Sequence, residues 1–293
     1  MRKDFLSFDD ISRSEISEIF ELTRQLKEKP FGNQLSHKVL ALLFKKSFIT
    51  RISFEIGIKQ LNGIIFHLNG FGQSKGQILD RYADAIIIET PSHKKLEKIA
   101  SRTDAHVINA KSDLAHPCQI LSDLFTIKEK FGSFSGLKLV YVGDGNNICN
   151  SLLLGCAKVG MDISVACPKG FEPNKDIAKL AKDYAKVTRS KVVITTEPKA
   201  AVKDAKIIYN DTFISMDDEK EKAKKLKIFL PKYQVTNKLF KLAAPDAVYM
   251  HCLPAHRGEE VTPEVIDGPR SIVFDQAENR LHAQKALLVK MMS

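Results

Sequence analysis

Apolar positions along this chain fall into two patterns that take turns. Short continuous runs occur at 39–44, 63–68, 85–88, 105–110, 137–143, 163–167, 191–195, 206–209 and 248–250, the length of strands, and 39–44 reads as a strand covered on both faces. Between them lie stretches of helical spacing, beginning with 10–29, where Ile11, Ile16, Ile19, Phe20 and Leu22 share a stripe and Asp9 or Asp10 would cap the start. Further helices are expected over 52–61, 92–100, 117–130, 150–159, 174–187, a short one after Thr236, and 278–292, with 271–275 as a last apolar run before it. Pro117 suits a first helical turn, where a missing N–H costs nothing. Strands alternating with helices throughout predict parallel sheets in an α/β fold. The segment Gly132-Ser133-Phe134-Ser135-Gly136 is the best boundary between two domains.

Three of the apolar runs end in polar chemistry. Val248-Tyr249-Met250 stops at His251-Cys252-Leu253-Pro254, and Pro254 cannot donate to a sheet ladder, so the chain leaves the sheet there. The run before Ser112 leads into Asp113-Leu114-Ala115-His116-Pro117-Cys118-Gln119, and Ile207-Ile208-Tyr209 leads into Asn210-Asp211-Thr212-Phe213-Ile214-Ser215-Met216. Open α/β sheets place ligands at the carboxyl ends of their strands, so these three ends are the candidate site. A fourth turn, Lys45 to Arg51, joins a strand to a helix with Ser47 and Thr50 in it, the arrangement of an anion cradle. Taken singly, each of these residues also has an ordinary role: Ser and Thr cap helices, Asp211 suits a turn, and a lone Cys252 suits a buried packing position.

At 293 residues the chain suits two domains, and 44% hydrophobic with 27% charged residues is globular composition. No apolar run approaches the roughly 20 residues of a membrane helix, and the start, MRKDFLSFDDIS, lacks a signal peptide's apolar segment. Five cysteines without metal-ligand spacing predict reduced thiols in a cytoplasmic protein. The formal net charge of +10 reads as a lysine-rich solvated surface, since sign alternation such as Glu219-Lys220-Glu221-Lys222 marks an exposed face. Basic residues are not interleaved with aromatics, so nucleic acid is not expected as a partner.

HPCQ (116–119), GDGNN (143–147), DTFISM (211–216), HCLPAHRGEEV (251–261) and FDQAENRLHAQKALL (274–288) together resemble the aspartate/ornithine carbamoyltransferase family, in its ornithine-using branch, over nearly the full length. The resemblance implies two doubly wound domains, each with a central parallel sheet flanked by helices. Residues 1–132 would bind carbamoyl phosphate, 137–275 would bind ornithine, and 276–293 would pack back on the first domain. It further implies carbamoyl transfer to the δ-amine of ornithine, giving citrulline and phosphate, by a homotrimer with sites at subunit interfaces and with no metal or organic cofactor. Carried over by position, Ser47, Thr50, Gln73, His116, Gln119, Cys252, Leu253 and Arg280 would hold carbamoyl phosphate. Asn147, Asp211, Ser215 and Met216 would hold ornithine, and Cys252, Asp211, His116 and Arg280 would carry the chemistry. An imidazole N–H and a guanidinium can stabilise a carbonyl oxygen as it gains charge.

The chain departs from the family in the phosphate loop. The family reads Ser-Thr-Arg-Thr-Arg where this chain has Ser47-Phe48-Ile49-Thr50-Arg51, and a second family arginine aligns with Glu89. Losing two charge-assisted contacts costs about 3–6 kcal/mol, or about two to four powers of ten in affinity. Lys45, Lys46 or Lys75 would have to supply replacement charge. Otherwise the chain is a paralogue with an altered donor or little catalysis, binding an amino acid as a regulatory subunit. Asp217, where the family usually has glycine, would reshape the ornithine loop.

Overall fold

The computed structural model describes residues 4–45, 47–70, 78–214 and 222–293. Its contacts divide the chain into two compact units, one made of residues 1–126 with 278–293 and the other of residues 127–277. The chain crosses between them inside two helices, Pro117–Phe131 and Val273–Met292.

The first unit is built on four parallel strands: β1 (Val39–Leu43), β2 (Ile64–His67), β3 (Ala85–Glu89) and β4 (His106–Lys111), in the order β2-β1-β3-β4. All five residues of β3 are buried, which is why its Ala-Ile-Ile-Ile run shows no alternation. The second unit has five parallel strands: β5 (Lys138–Val142), β6 (Asp162–Ala166), β7 (Val192–Thr195), β8 (Ile207–Asn210) and β9 (Val248–His251), in the order β7-β6-β5-β8-β9. Both orders reverse direction once, between β1 and β3 in the first unit and between β5 and β8 in the second. Those reversals are where doubly wound sheets open a crevice for ligands. The fold is the expected α/β pair of parallel sheets flanked by helices.

Several element edges differ from the periodicity. The first long helix is Arg13–Glu28, capped by Ser12 rather than Asp9 or Asp10, because Ser12 and Glu15 form a reciprocal capping box. Asp10 instead closes a short 3-10 turn, Phe8–Asp10, against Ser7. The helix after β1 starts at Phe48 and the helix after β5 at Asn147, each about a turn before the expected start. Residues 271–275 are not a strand: Ser271 makes one isolated bridge to Tyr249, and the helix Val273–Met292 begins two residues later.

Candidate active site

In the first unit, the carboxyl ends of β1 and β3 lie side by side at the reversal. β1 delivers the turn that opens the helix Phe48–Gln60, and β3 ends on Glu89. The Glu89 carboxylate is buried in that turn. Its Oε2 accepts from the backbone N–H groups of Lys45 (2.9 Å) and Ser47 (3.2 Å), and its Oε1 accepts from Ser47 Oγ (2.8 Å). Ser47 precedes the helix but makes no side-chain cap, because its hydroxyl is turned to Glu89. Arg51 is held by Glu55 at 2.6 Å, one turn along the same helix. Phe48 is 73% exposed.

One turn into that helix, buried Thr50 receives a hydrogen bond from Arg280 Nη2, also buried, on the helix Val273–Met292. His116 sits just before the helix Pro117–Phe131. Burial, reinforced by the positive charges of Arg280 and Lys111, holds its imidazole well below the usual histidine range. At neutral pH it is therefore an uncharged ring with one N–H to donate. Gln119 donates from Nε2 to Asp123 Oδ1 at 2.8 Å, and its buried Oε1 meets no donor among the described residues. That oxygen is an acceptor suited to an N–H of a bound ligand. Cys118 next to it is a packing residue, since burial pushes its thiol up to about 12.

The second unit repeats the arrangement at its own reversal. β5 leads into Gly143-Asp144-Gly145-Asn146, β8 into Asp211, and the neighbouring β9 into Cys252. Asn146 caps the helix Asn147–Val159 through its side-chain oxygen and donates from Nδ2 to Asp211 Oδ2 at 2.7 Å. Asp211 Oδ1 accepts from Cys252 Sγ at 2.9 Å and from the Thr212 N–H at 2.8 Å. Asn147 is the first residue of the helix, close to the positive end of its dipole. Lys225 Nζ stands 3.3 Å from Asp144 Oδ2, which adds a cation beside the turn.

Behind Cys252, the buried His251 fixes the exit of the chain from the sheet. Its backbone N–H donates to Gln276 Oε1 (2.9 Å), and its Nδ1 accepts from the Leu253 N–H (2.9 Å). With Nδ1 accepting, the ring proton is on Nε2, which faces Glu260 Oε1 at 3.3 Å. Leu253 is thereby held at a φ of 55°, a region that L-residues with large side chains rarely occupy.

Residues 3–129 match the aspartate/ornithine carbamoyltransferase carbamoyl-P binding domain, and residues 135–291 match the Asp/Orn binding domain of the same family. The chain belongs to the aspartate/ornithine carbamoyltransferase family. It is 47% identical to an ornithine carbamoyltransferase of Bacillus subtilis, over 98% of this chain and 92% of the relative. One from Methanoculleus marisnigri is 46% identical over 100% of this chain and 98% of its own. Among solved structures, the ornithine carbamoyltransferase of Gloeobacter violaceus superposes with a TM-score of 0.93 at 44% identity, covering 100% of this chain and 99% of that one.

Of the site residues expected from the carbamoyltransferase resemblance, the structure brings together Thr50, His116 and Arg280 in the first unit and Asp211 and Cys252 in the second. Ser47 is engaged by Glu89 instead. Gln119 stands in the same helix as His116's successor Pro117, and Leu253 follows Cys252. Gln73, Ser215 and Met216 lie outside the described residues, as do Lys46, Lys75 and Asp217. One residue escaped the sequence reading. Asn146 is the side chain that reaches Asp211, and the Asn-Asn pair before an apolar run was the capping signal that marked it. Glu89, expected only as the residue at the position of a family arginine, instead accepts from the Lys45 and Ser47 N–H groups and the Ser47 hydroxyl.

Proposed function

We propose that this chain transfers the carbamoyl group of carbamoyl phosphate to the δ-amine of L-ornithine, giving L-citrulline and phosphate, as a cytoplasmic homotrimer. The supporting observation is the Asn146–Asp211–Cys252 cluster at the sheet reversal of the second unit, in a chain whose relatives over nearly full length are ornithine carbamoyltransferases. In this reading Asp211 pairs with the α-ammonium of ornithine, and the Asn147 amide hydrogen-bonds the α-carboxylate. Ser215 and Met216 complete that side. Asp211 and Cys252 together favour the neutral form of the δ-amine.

The amine nitrogen forms a bond to the carbonyl carbon and the C–O bond to phosphate breaks. Phosphate leaves with the electron pair and accepts the proton that the nitrogen sheds. Negative charge on the carbonyl oxygen in the tetrahedral transition state is met by the Arg280 guanidinium, the neutral His116 N–H and the Thr50 hydroxyl. Such donors each contribute about 2.7–4 kcal/mol where measured in other enzymes. Gln119 Oε1 accepts from the carbamoyl NH2, and Ser47, Gln73, Cys252 and Leu253 complete the donor contacts. No membrane-crossing role enters this reading, and no helix among the described residues is long and apolar enough to span a bilayer.

The test is a colorimetric assay of the purified chain with carbamoyl phosphate and either ornithine or aspartate. Citrulline with ornithine, and no carbamoyl-aspartate with aspartate, is the expected result. Ornithine binding with no citrulline at any donor concentration would overturn the reading and leave an amino-acid-binding subunit. Analytical ultracentrifugation of the same sample checks the trimer.

A further inference from the structure

Glu89 carries an inference that rests on the carbamoyltransferase reading and goes past it. The turn after β1 is the only stretch where a strand end, a helix start and a serine hydroxyl converge beside Thr50 and Arg280 in the first unit, among the described residues. It offers three donors to one point: the N–H groups of Lys45 and Ser47 and the Ser47 hydroxyl. Three convergent donors at the opening of a helix suit the oxygens of a phosphate. All three are already satisfied by the Glu89 carboxylate, a buried side chain delivered from the adjacent strand.

We propose that Glu89 is a built-in occupant of the phosphate subsite, and that a phosphate-bearing donor binds only by displacing it. A carboxylate shares with phosphate its negative charge and its acceptor oxygens, so the two compete for the same donors and repel one another. Two positions of the family's phosphate loop give no guanidinium to relieve that repulsion. Arg51 is committed to Glu55 at 2.6 Å, and position 49 is isoleucine, with no charge to offer. Glu89 therefore sets the affinity for the donor and leaves the carbonyl chemistry at His116 and Arg280 untouched. The same competition makes the free chain a poor ligand for phosphate released as product, so product departs readily.

The test uses the full chain and its Glu89→Gln and Glu89→Ala variants, with ornithine saturating. In both variants the KM for carbamoyl phosphate and the inhibition constant of inorganic phosphate are expected to fall by roughly tenfold or more, the scale of one charge-assisted contact. The kcat should change far less. An unchanged or raised KM in a variant that still binds ornithine with wild-type affinity would overturn the proposal. Calorimetric titration of the unaltered chain with inorganic phosphate tests it without any substitution. Millimolar or weaker binding is expected, and micromolar binding would overturn it. Should the variants bind carbamoyl phosphate more tightly while no protein makes citrulline, Glu89 is the occupant and the transferase reading fails. Should the unaltered chain make citrulline with a KM that the Glu89 variants do not lower, the transferase reading stands and the occupant is wrong.

Discussion

Asp211 divides its two oxygens between different donors. Oδ1 serves Cys252 and the Thr212 N–H, and Oδ2 serves Asn146. An asparagine there keeps the shape but must turn its NH2 toward one of these donors, so Asp211→Asn places two donors face to face. The substitution also removes the charge proposed to hold the α-ammonium of ornithine. Losing a charge-assisted hydrogen bond costs about 1.5–3 kcal/mol, so the KM for ornithine should rise roughly tenfold to a hundredfold or more. Steady-state kinetics with each substrate varied in turn would check this, and the KM for carbamoyl phosphate should stay within about twofold, well below the size of one such contact. Asp211 and Cys252 were legible in the sequence because each ends an apolar run. Their mutual contact and the one to Asn146 were not, since these residues are 41 and 65 positions apart and no local spacing encodes such a pairing. The contact between Glu89 and Ser47 was hidden for the same reason, the two being 42 positions apart.

At the scale of elements, the turn from β5 into the helix Asn147–Val159 shows how tightly the second unit holds its site. The Gly145 N–H donates to the Phe171 carbonyl at 2.9 Å, and a Cβ on Gly145 would lie 2.3 Å from backbone atoms of both Glu172 and Pro173. Backbone cannot swing aside as a side-chain tip can. Gly145→Ala should therefore cost about 2–3 kcal/mol, the upper range for overpacking, and should weaken ornithine binding by displacing Asn146. A lowered urea midpoint together with a raised ornithine dissociation constant is the expected pair of readouts. The glycine-rich turn was visible as punctuation between a strand and a helix, but the segment it abuts was not. The inner strands and long helices were legible because burial on both faces or on one stripe dictates their composition, whereas the edge strands β2 and β7 are partly exposed. The helix starts at Phe48 and Asn147 lie before the expected 52 and 150, because Thr50-Arg51 and Asn147 break the apolar spacing around Phe48-Ile49 and Ile148-Cys149. The helices Pro198–Val202 and Pro263–Ile266 are too short for periodicity to show, and only a proline at the first turn marks each.

For the molecule as a whole, the chain's last helix is tied into the first unit by a lysine that is almost out of water. Lys285 Nζ donates to the carbonyls of Leu26 (3.1 Å) and Pro30 (3.0 Å) and to Gln60 Oε1 (2.9 Å), joining the end of the helix Arg13–Glu28 and the end of Phe48–Gln60 to Val273–Met292. The approach is close, because a Cβ on Gly57 would come within 2.9 Å of Lys285 Cγ. Burial lowers the Lys285 ammonium from 10.5 to about 8. Between those two pH values the unfolded chain holds the proton that the folded chain has lost, so stability rises with pH across that window. Below about pH 8 both states are protonated and this group contributes no slope. The direction is distinctive in a protein of net charge +10, in which lysines far outnumber other titrating groups in that range and most of them are exposed. Lys285→Met keeps the length of the side chain and removes the titration. Urea unfolding of both proteins at several pH values from 7 to 10 should show the unaltered chain gaining on the variant as pH climbs past about 8. A difference that stays flat across that range would mean that the three oxygens keep the ammonium charged in the fold, and that the lysine holds the terminal helix as a cation throughout.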